Sequence, residues 1–295
     1  MAQLTHSKPA MPRVTVIIPT YNWSSVLPYS IGSVLRQTFQ DWELLVVGDG
    51  CTDDSGEVVE KIGDPRVRWI NLPTNTGEQS SPNNEGLRQA KGELIAYLGH
   101  DDLWLPHHLQ CLIEAIDAGA DLAHTIIKTV YPENFSDEKV LKRLMKRPPS
   151  RFLPSSSMHR KSVSERIGGW RFYREITETP QDDFWNRAVA ASFQCLPVPR
   201  LSVLKLPAKD RRDVYKERPS HEQAALFERV GNEPNMEAVE LASMLIEMQT
   251  VLYEEVAKSN QRSPLRQWFR KLRPQKPQGA QIDAWRKYKG LEPKA

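Results

Sequence analysis

The sequence predicts an α/β fold in which a Rossmann-like, mostly parallel central sheet is flanked by helices and followed by a helical C-terminal extension. Short apolar runs alternate with stretches whose apolar residues recur every three or four positions, which is the pattern of βαβ units. The runs contain few polar residues, as expected for strands that are covered on both faces. Polar clusters follow three of these runs, which indicates a binding site at one edge of the sheet.

The N-terminal part of the chain defines its strands and helices most clearly. The predicted strands are 14–18, 43–47, 67–70 and 94–98, and each is rich in β-branched or other apolar residues. Three helices are predicted in this part. The first begins at Ser24 or Ser25, the second begins at Asp53 or Asp54, and the third covers 79–91. Such short alternation favours right-handed crossovers and a parallel sheet.

The pattern is weaker beyond residue 105. It predicts a helix over about 106–118, a strand near 121–127, and a polar, basic loop or lid over 131–150. A helix over about 182–191 and a largely helical region over 219–259 follow. The second half of the chain is therefore expected to extend the sheet and then become helical.

Composition points to a folded cytoplasmic protein. The chain has 295 residues, of which 39% are hydrophobic and 26% charged. Its longest aliphatic runs are far shorter than the ~20 apolar residues that span a bilayer, and the N-terminus has no apolar stretch of signal-peptide length. The three cysteines are widely separated and form neither a metal-ligand spacing nor a disulfide framework, which fits a reducing compartment.

Asp101 and Asp102 form the sharpest chemical feature. Two adjacent carboxylates at the end of a buried strand repel each other unless a cation compensates their charge. Mn²⁺ or Mg²⁺ suits this position, because a hard cation takes its remaining ligands from phosphate and water oxygens. An acidic cap on the helix after Pro106, or a solvated turn, would explain the same pair without a metal.

Two other strand ends carry polar groups suited to a nucleotide. Thr20, Tyr21 and Asn22 combine a hydroxyl, an aromatic face and an amide after the first strand. Asp49 lies between two glycines, which let a ligand approach the backbone, and its carboxylate can accept from a base N–H or a ribose hydroxyl. A helix-capping loop and an ordinary Asp-Gly turn are the structural alternatives.

Taken together, these segments resemble the family 2 glycosyltransferases of the GT-A fold. The similar segments are VTVIIPTYN (14–22), SVLRQTFQDWELLVVGDGCTDDS (33–55), DPRVRWINLPTNTG (64–77), NNEGLRQAKGELIAYLGHDDLWLP (83–106) and, more faintly, SSSMHRKSVSERIGGW (155–170) and QDDFWNR (181–187). The similarity is dense and in order through residue 105 and sparse beyond it.

The resemblance implies a domain organisation. One GT-A glycosyltransferase domain would cover 13–210, with the nucleotide-sugar donor half in 13–105 and the acceptor half in 106–210. The domain would be preceded by a flexible N-terminus (1–12) and followed by a helical extension (211–260) and a basic tail (261–295).

The resemblance also implies roles for individual residues. Those expected to bind the nucleotide-sugar are Pro19, Thr20, Tyr21, Asn22, Asp49, Gly77, Asn84, His100 and Asp101. Asp101 and Asp102 would hold Mn²⁺ or Mg²⁺. Because Asp49 lies where the family's uracil-contacting Asp usually stands, a UDP or dTDP sugar is the expected donor. Contacts to the acceptor or the pyrophosphate are expected from His159, Arg160 and Trp170, although packing is the favoured role of Trp170.

The chain departs from the family's pattern at several positions. Gly48 stands where a second acidic residue is frequent, and Gly99 and His100 stand where Asp is common. An alignment on Trp185 and Arg187 puts Gln181 at the usual position of the catalytic base. A shift by one residue gives Asp182 instead, while Asp183 could hold the helix. We therefore expect the base to be Asp182 or Asp183, with Asp182 favoured.

These features predict an inverting sugar transfer from a nucleoside-diphosphate sugar to a hydroxyl of a glycan or lipid-linked acceptor, in bacterial polysaccharide biosynthesis. The departures also motivate a second hypothesis, a catalytically inactive glycosyltransferase-like module that binds nucleotide or glycan. A nucleotidyltransferase is disfavoured, because the sequence has no Gly-rich or P-loop signature.

The C-terminal end is strongly basic. Residues 262–295 carry ten Lys and Arg against two acidic residues, a local charge of +8 in a chain of net +3. Apolar residues recur at helical spacing within 262–273, which predicts peripheral contact with the inner face of the cell membrane. A helix docked on the catalytic body would show the same pattern. No nucleic-acid partner is predicted, because no binding motif accompanies the charge.

Overall fold

The structure is a computed structural model, and it describes residues 11–132, 153–211 and 213–261. It forms two compact units, Met1–Ala242 and Ser243–Ala295. The sheet belongs to the first unit, and the described part of the second is the remainder of the last helix. The predicted basic segment 262–273 lies outside the described residues, as does the predicted lid except for its first two residues.

Eight strands of the described chain form one sheet in the order β3-β2-β1-β4-β7-β6-β8-β5. They are β1 (Val14–Thr20), β2 (Trp42–Gly48), β3 (Val67–Asn71), β4 (Leu94–Tyr97), β5 (Leu103–Trp104), β6 (Leu122–Thr129), β7 (Ser157–Arg160) and β8 (Cys195–Lys205). Strands β1 to β4 are mutually parallel, and β6 is parallel to β8, whereas β7 and β5 run antiparallel to their neighbours. The predicted mostly parallel sheet is confirmed.

The described helices connect and flank these strands. They are α1 (Leu27–Leu35), α2 (Ser55–Glu60), α3 (Ser80–Gln89), α4 (His108–Asp117), α5 (Lys161–Ile167), α6 (Pro180–Ala190), α7 (Val214–Glu217), α8 (His221–Asn232) and α9 (Met236–Gln261). Short 3-10 turns lie at Ser24–Val26, Pro154–Ser156, Tyr173–Glu175 and Ala208–Asp210. Within the part of the chain described, no helix is both long and apolar enough to cross a membrane.

The core lies on both faces of the sheet because successive strand residues point in opposite directions. Val16 and Ile18 of β1 belong to a cluster that includes residues of α1 and α4. Ile17, between them, belongs to a second cluster with Phe184 of α6. All three β1 side chains are fully buried. Both faces of the central strands are thus covered, which is why these strands are continuous apolar runs in the sequence.

Three strands were not predicted: β5, β7 and β8. Strand β5 has only two residues, too few for a periodic signal. Strand β8 contains Pro197 and Pro199, which cannot donate ladder hydrogen bonds and normally argue against a strand. Its pairing with β6 is irregular, with register shifts between His124 and Ile127. Pro197 pairs with His124 at the edge of this irregularity, and the pairing resumes beyond it, so the strand continues to Lys205.

Candidate active site

A cleft of about 500 Å³ opens at the carboxyl ends of β1, β2 and β4. Parallel strands end at the same edge of a sheet, so the segments that follow them meet there. The later part of the chain adds Pro154, Ser155, Gln181, Lys205 and Tyr215 to the lining. Of the predicted donor-site residues, those that line the cleft are Pro19, Thr20, Tyr21, Asp49, Gly77, His100 and Asp101.

Asp49 organises the loop that forms one wall of the cleft. Its carboxylate accepts from the Thr76 backbone N–H at 3.0 Å, the Thr76 hydroxyl at 2.7 Å and the Gly77 N–H at 3.0 Å. Gly77 has a φ of 88°, a left-handed conformation that glycine adopts without strain. The Asp49 carboxylate therefore holds residues 76–77 at the cleft.

Thr20 and His100 join the ends of β1 and β4. The Thr20 hydroxyl lies 2.9 Å from Nδ1 of His100, and both side chains are buried. Burial lowers the pKa of His100 to about 4, so the ring is neutral near pH 7. Tyr21 beside them is 38% exposed and offers an open aromatic face to the cleft. These groups suit a neutral, partly aromatic ligand such as a nucleoside.

Asp101 is the acidic residue at the end of β4 that faces the cleft. Burial, with the negative charge of Asp102 beside it, raises the pKa of Asp101 to about 7. A cation at this carboxylate would relieve that charge. The described residues contain no group of three or more His, Cys, Asp or Glu side chains able to hold a metal. Asp101 offers a single carboxylate, and an ion such as Mn²⁺ or Mg²⁺ can take one carboxylate and complete its shell with phosphate and water oxygens.

Asp102 does not line the cleft, and both of its carboxylate oxygens are engaged by the protein. Oδ2 accepts from the Ser155 hydroxyl at 2.5 Å and from Lys205 Nζ at 2.8 Å, and Oδ1 accepts from the Leu206 N–H at 3.0 Å. The side chain is fully buried. Because its oxygens already accept from protein donors, the arrangement favours a structural role for Asp102, and its role as a metal ligand stays a prediction.

The first turn of α6 contains all three residues considered for the catalytic base. Gln181 lines the cleft. Asp182 accepts from the hydroxyl of Thr179, the residue that caps the helix, at 2.6 Å. Asp183 is 5% exposed and pairs with Arg187 at 2.7 Å and Arg171 at 3.5 Å. The ion pairs give Asp183 the helix-holding role that was its structural alternative.

His159 and Trp170 lie behind the cleft in an aromatic core. Trp170 Nε1 donates to the Tyr97 hydroxyl at 3.1 Å, and that hydroxyl lies 3.1 Å from Nε2 of His159. His159 Nδ1 donates to the Arg160 carbonyl at 2.8 Å, so Nε2 is the acceptor. Arg160 itself donates to the Ile116 carbonyl. The buried hydrogen bonds of Trp170 agree with its expected packing role, and those of His159 favour a structural role as well. Acceptor or pyrophosphate contacts of His159 and Arg160 stay predictions.

Two asparagines predicted to contact the donor instead form hydrogen bonds that link parts of the fold. The Asn22 amide oxygen accepts from the Thr52 N–H at 2.7 Å and bridges the loops after β1 and β2. Asn84 donates to the Trp170 carbonyl at 2.8 Å and accepts from the Trp170 N–H at 2.9 Å. Neither lines the cleft, so a direct contact of either with the donor is not supported.

Asn83, which the sequence did not single out, lines the cleft in place of Asn84. It is fully buried, and neither its amide nitrogen nor its amide oxygen has a hydrogen-bond partner among the described residues. An unpartnered buried amide is costly, which favours a ligand as its partner. Lys205 and Tyr215 were also missed. The one signal available for Asn83 was its position next to Asn84 at the start of a helix.

Comparison with known proteins identifies the family. The model of "Glycosyl transferase family 2" matches residues 15–176, more than half of the chain. The chain belongs to glycosyl transferase family 2. The predicted resemblance is therefore confirmed.

The chain matches curated relatives over only part of their length. A UDP-Glc:alpha-D-GlcNAc-diphosphoundecaprenol beta-1,3-glucosyltransferase, WfgD of Escherichia coli, is 35% identical over 100 residues, which are 34% of this chain and 39% of that protein. A GalNAc(5)-diNAcBac-PP-undecaprenol beta-1,3-glucosyltransferase of Campylobacter jejuni is 35% identical over 112 residues, which are 37% and 36%. The match thus spans less than two fifths of either relative.

Solved structures confirm the GT-A fold. TarS residues 1–349 of S. aureus, in complex with UDP-GlcNAc, match with a TM-score of 0.56 and 20% identity over 77% of this chain and 69% of that one. The mannosyltransferase PcManGT of Pyrobaculum calidifontis, in complex with GDP-Man and Mn²⁺, matches with a TM-score of 0.56 and 16% identity over 88% and 84%.

Two departures from the family's acidic pattern have a steric explanation. A Cβ at Gly48 would lie 2.6 Å from the Asn71 side-chain oxygen, and one at Gly99 would lie 2.9 Å from Oδ2 of Asp102. Both distances are shorter than side chains tolerate. Asn71 uses its amide to bind the backbone of Cys51, so it fills the space that a side chain at position 48 would need.

Proposed function

We propose that this chain transfers a sugar from a nucleoside-diphosphate sugar to a hydroxyl of a glycan or lipid-linked acceptor, with inversion at the anomeric carbon. The observation that carries the proposal is the cleft at the ends of β1, β2 and β4 in a chain of this family. It offers an open aromatic face at Tyr21, an unpartnered amide at Asn83 and a carboxylate at Asp101. The aromatic face suits the base, the amide suits the sugar or ribose, and the carboxylate suits a metal-bound diphosphate.

A UDP or dTDP sugar is the proposed donor. Asp49 lines the cleft, where its carboxylate holds the backbone of Thr76 and Gly77 beside the space proposed for the base. The relatives named above include a UDP-Glc-dependent enzyme, and the fold neighbour TarS is bound to UDP-GlcNAc. The undecaprenol-linked acceptors in the names of both curated relatives support a lipid-linked acceptor.

Asp101 is the proposed metal ligand. A bound Mn²⁺ or Mg²⁺ would offset the charge that develops on the departing diphosphate. The complex of PcManGT with Mn²⁺ supports a divalent ion in this fold. Asp102 would contribute by fixing Ser155 and Lys205 around Asp101.

Asp182 is the proposed general base. The acceptor oxygen would form a bond to the anomeric carbon while the bond to the diphosphate breaks, and Asp182 would take the acceptor proton. Asp182 follows Gln181 of the cleft wall, and its described partner is the Thr179 hydroxyl rather than a cation. Asp183 is less suited, because its carboxylate is buried and held in ion pairs with Arg187 and Arg171.

Titration calorimetry tests the donor site first. We expect UDP to bind more tightly with Mn²⁺ than with a chelator, and Asp101→Ala to remove that difference. A panel with dTDP and GDP would establish the base preference. Absence of metal-enhanced binding for all three nucleotides would exclude the donor site as proposed.

Transfer assays with a suitable UDP-sugar then test the base. Asp182→Asn should lower kcat by about 100-fold or more with little change in donor affinity. Asp183→Asn is the matched control in the same helix turn, and it should mainly lower the melting temperature, because it leaves Arg187 without its buried partner. Unchanged kcat in Asp182→Asn would remove that residue from the mechanism.

A second candidate function is a nucleotide- or glycan-binding module without transferase activity. It is favoured by Gln181, since an amide at the cleft wall cannot accept a proton as a carboxylate does. Tight, metal-enhanced UDP binding together with no turnover of any UDP-sugar would favour this function. Gain of transfer activity in Gln181→Asp would show which group the site lacks.

A further inference from the structure

Lys205 places a fixed positive charge at the donor cleft. It is the last residue of β8 and lies beyond residues 15–176, to which the family match extends. Its side chain lines the cleft together with Asp101 and is 24% exposed. Among the described residues that line the cleft, it is the one Lys or Arg, whereas Asp49, Glu78 and Asp101 are acidic.

The environment of Asp102 explains how this ammonium is held. Oδ2 of Asp102 lies 2.8 Å from Lys205 Nζ and also accepts from Ser155. The Leu206 N–H, from the residue next to Lys205, donates to Oδ1. The fully buried carboxylate thus binds both the side chain of Lys205 and the backbone that follows it. Such a double attachment fixes the position of the ammonium at the edge of the cleft.

The ammonium retains capacity for a ligand. Lys has three N–H donors, and the described hydrogen bonds of Lys205 account for one of them, the bond to Asp102. A nucleoside diphosphate presents several anionic oxygens to a cleft whose other charged lining groups are acidic. Its binding therefore requires a positive group, and Lys205 supplies one without a metal.

We propose that Lys205 binds the diphosphate of the donor directly and sustains donor binding when no divalent ion is present. The inference rests on the proposed donor site. It differs from a purely structural ion pair, in which Lys205 would only neutralise Asp102. In the proposed role, one N–H of the ammonium donates to Asp102 and the other two donate to the phosphate oxygens.

Calorimetry of UDP and uridine in the presence of a chelator tests this inference. For the wild type we expect measurable UDP binding without metal. Lys205→Met should weaken it by about tenfold or more, the usual effect of losing a charge-assisted hydrogen bond, and should leave uridine affinity unchanged. Lys205→Arg, which keeps the charge, should restore part of the UDP affinity.

Lys128→Met is the matched control. Lys128 of β6 pairs with Glu240 at 2.6 Å, on the strand that neighbours β8, and does not line the cleft. Its loss should lower stability while UDP affinity stays within twofold of the wild type. If Lys205→Met fails to fold, the double variant Lys205→Met with Asp102→Asn avoids a buried unpaired carboxylate and is measured instead.

The outcomes separate this inference from the proposed function. No UDP binding even with Mn²⁺ would exclude the donor site itself. Binding that requires Mn²⁺ in the wild type, or equal metal-free affinity in wild type and folded Lys205→Met, would overturn the role of Lys205 alone. Equal weakening of UDP and uridine would also overturn it, since it would indicate a general distortion of the cleft.

Discussion

Single side chains decide how the predicted donor site is built. Asn83 and Asn84 are neighbours on α3, and consecutive helical residues point about 100° apart. One therefore faces the cleft while the other binds the backbone of Trp170. The sequence identifies both as polar residues at a helix start, but only packing determines which of them a ligand can reach.

The two asparagines should respond differently to substitution. Asn83→Ala removes a buried, unpartnered amide, so the melting temperature should stay constant or rise while UDP-sugar affinity falls by about tenfold. Asn84→Ala breaks two hydrogen bonds to Trp170 and should destabilise the protein by about 1–3 kcal/mol. Thermal melts and calorimetry would measure both. A stability loss for Asn83→Ala equal to that of Asn84→Ala would contradict the assignment.

His159 should make stability dependent on pH. Burial lowers its pKa to about 4 from 6.5, so the unfolded chain binds a proton more readily than the folded one. The contribution of neutral His159 to the free energy of unfolding is intact above pH 6.5. It falls by about 3 kcal/mol as the pH drops towards 4.

Urea denaturation at pH 7 and pH 4 would measure this effect. His159→Gln should show a smaller loss of unfolding free energy between the two pH values than the wild type. Some loss should remain, because burial also lowers the pKa of His100 and His108. Identical pH dependence in both proteins would exclude the role given to His159.

At the scale of elements, helix α3 packs closely against β1 and brings Asn83 to the cleft. A Cβ at Gly86 of α3 would lie 2.7 Å from the Ile17 side chain of β1. Glycine in a helix interior normally costs about 1 kcal/mol relative to alanine, so its presence here indicates a steric requirement. The helix that carries Asn83 can lie this close to the sheet because position 86 lacks a side chain.

Gly86→Ala should therefore destabilise the protein, although alanine is the better helix former. We expect a net loss of about 1–2 kcal/mol in chemical denaturation, since overpacking outweighs the gain in helix propensity. Gly231→Ala in α8 is the control, because its Cβ would meet the end of the flexible Arg36 side chain. A stabilised Gly86→Ala would show that α3 can move away from β1 at little cost.

At the scale of the whole molecule, the described cleft lies within the first unit. Its lining residues extend from Pro19 to Tyr215, and that unit ends at Ala242. The predicted membrane contact depends instead on 262–273, outside the described residues. Donor binding and membrane contact are thus expected to be separable properties of the chain.

Truncation after Gln261 tests this separation. UDP affinity should stay within twofold of the full chain, whereas recovery on anionic liposomes in a flotation assay should fall, because the +8 charge is removed. Neutral liposomes serve as the control, and neither protein should float with them. Equal flotation of both proteins on anionic liposomes would exclude membrane contact through the tail.

Elements with a repeated pattern could be predicted from the sequence. Strands β1 and β2 are buried on both faces, so they are continuous apolar runs, and helix α4 was expected within two residues of its observed ends. Strand β8 lacked such a pattern, since its prolines interrupt it. Consequently Lys205, which β8 brings to the cleft, could not be expected.

The sequence by itself determined the family, through the resemblance of its motifs, and the alternation of strands and helices with polar clusters at three strand ends, because local periodicity encodes these. The tertiary structure alone decided which members of those clusters face the cleft. Asp101 lines it while Asp102 is engaged by Ser155, Lys205 and Leu206. Adjacent carboxylates look equivalent in a sequence, and they differ here because partners distant in the chain surround only one of them.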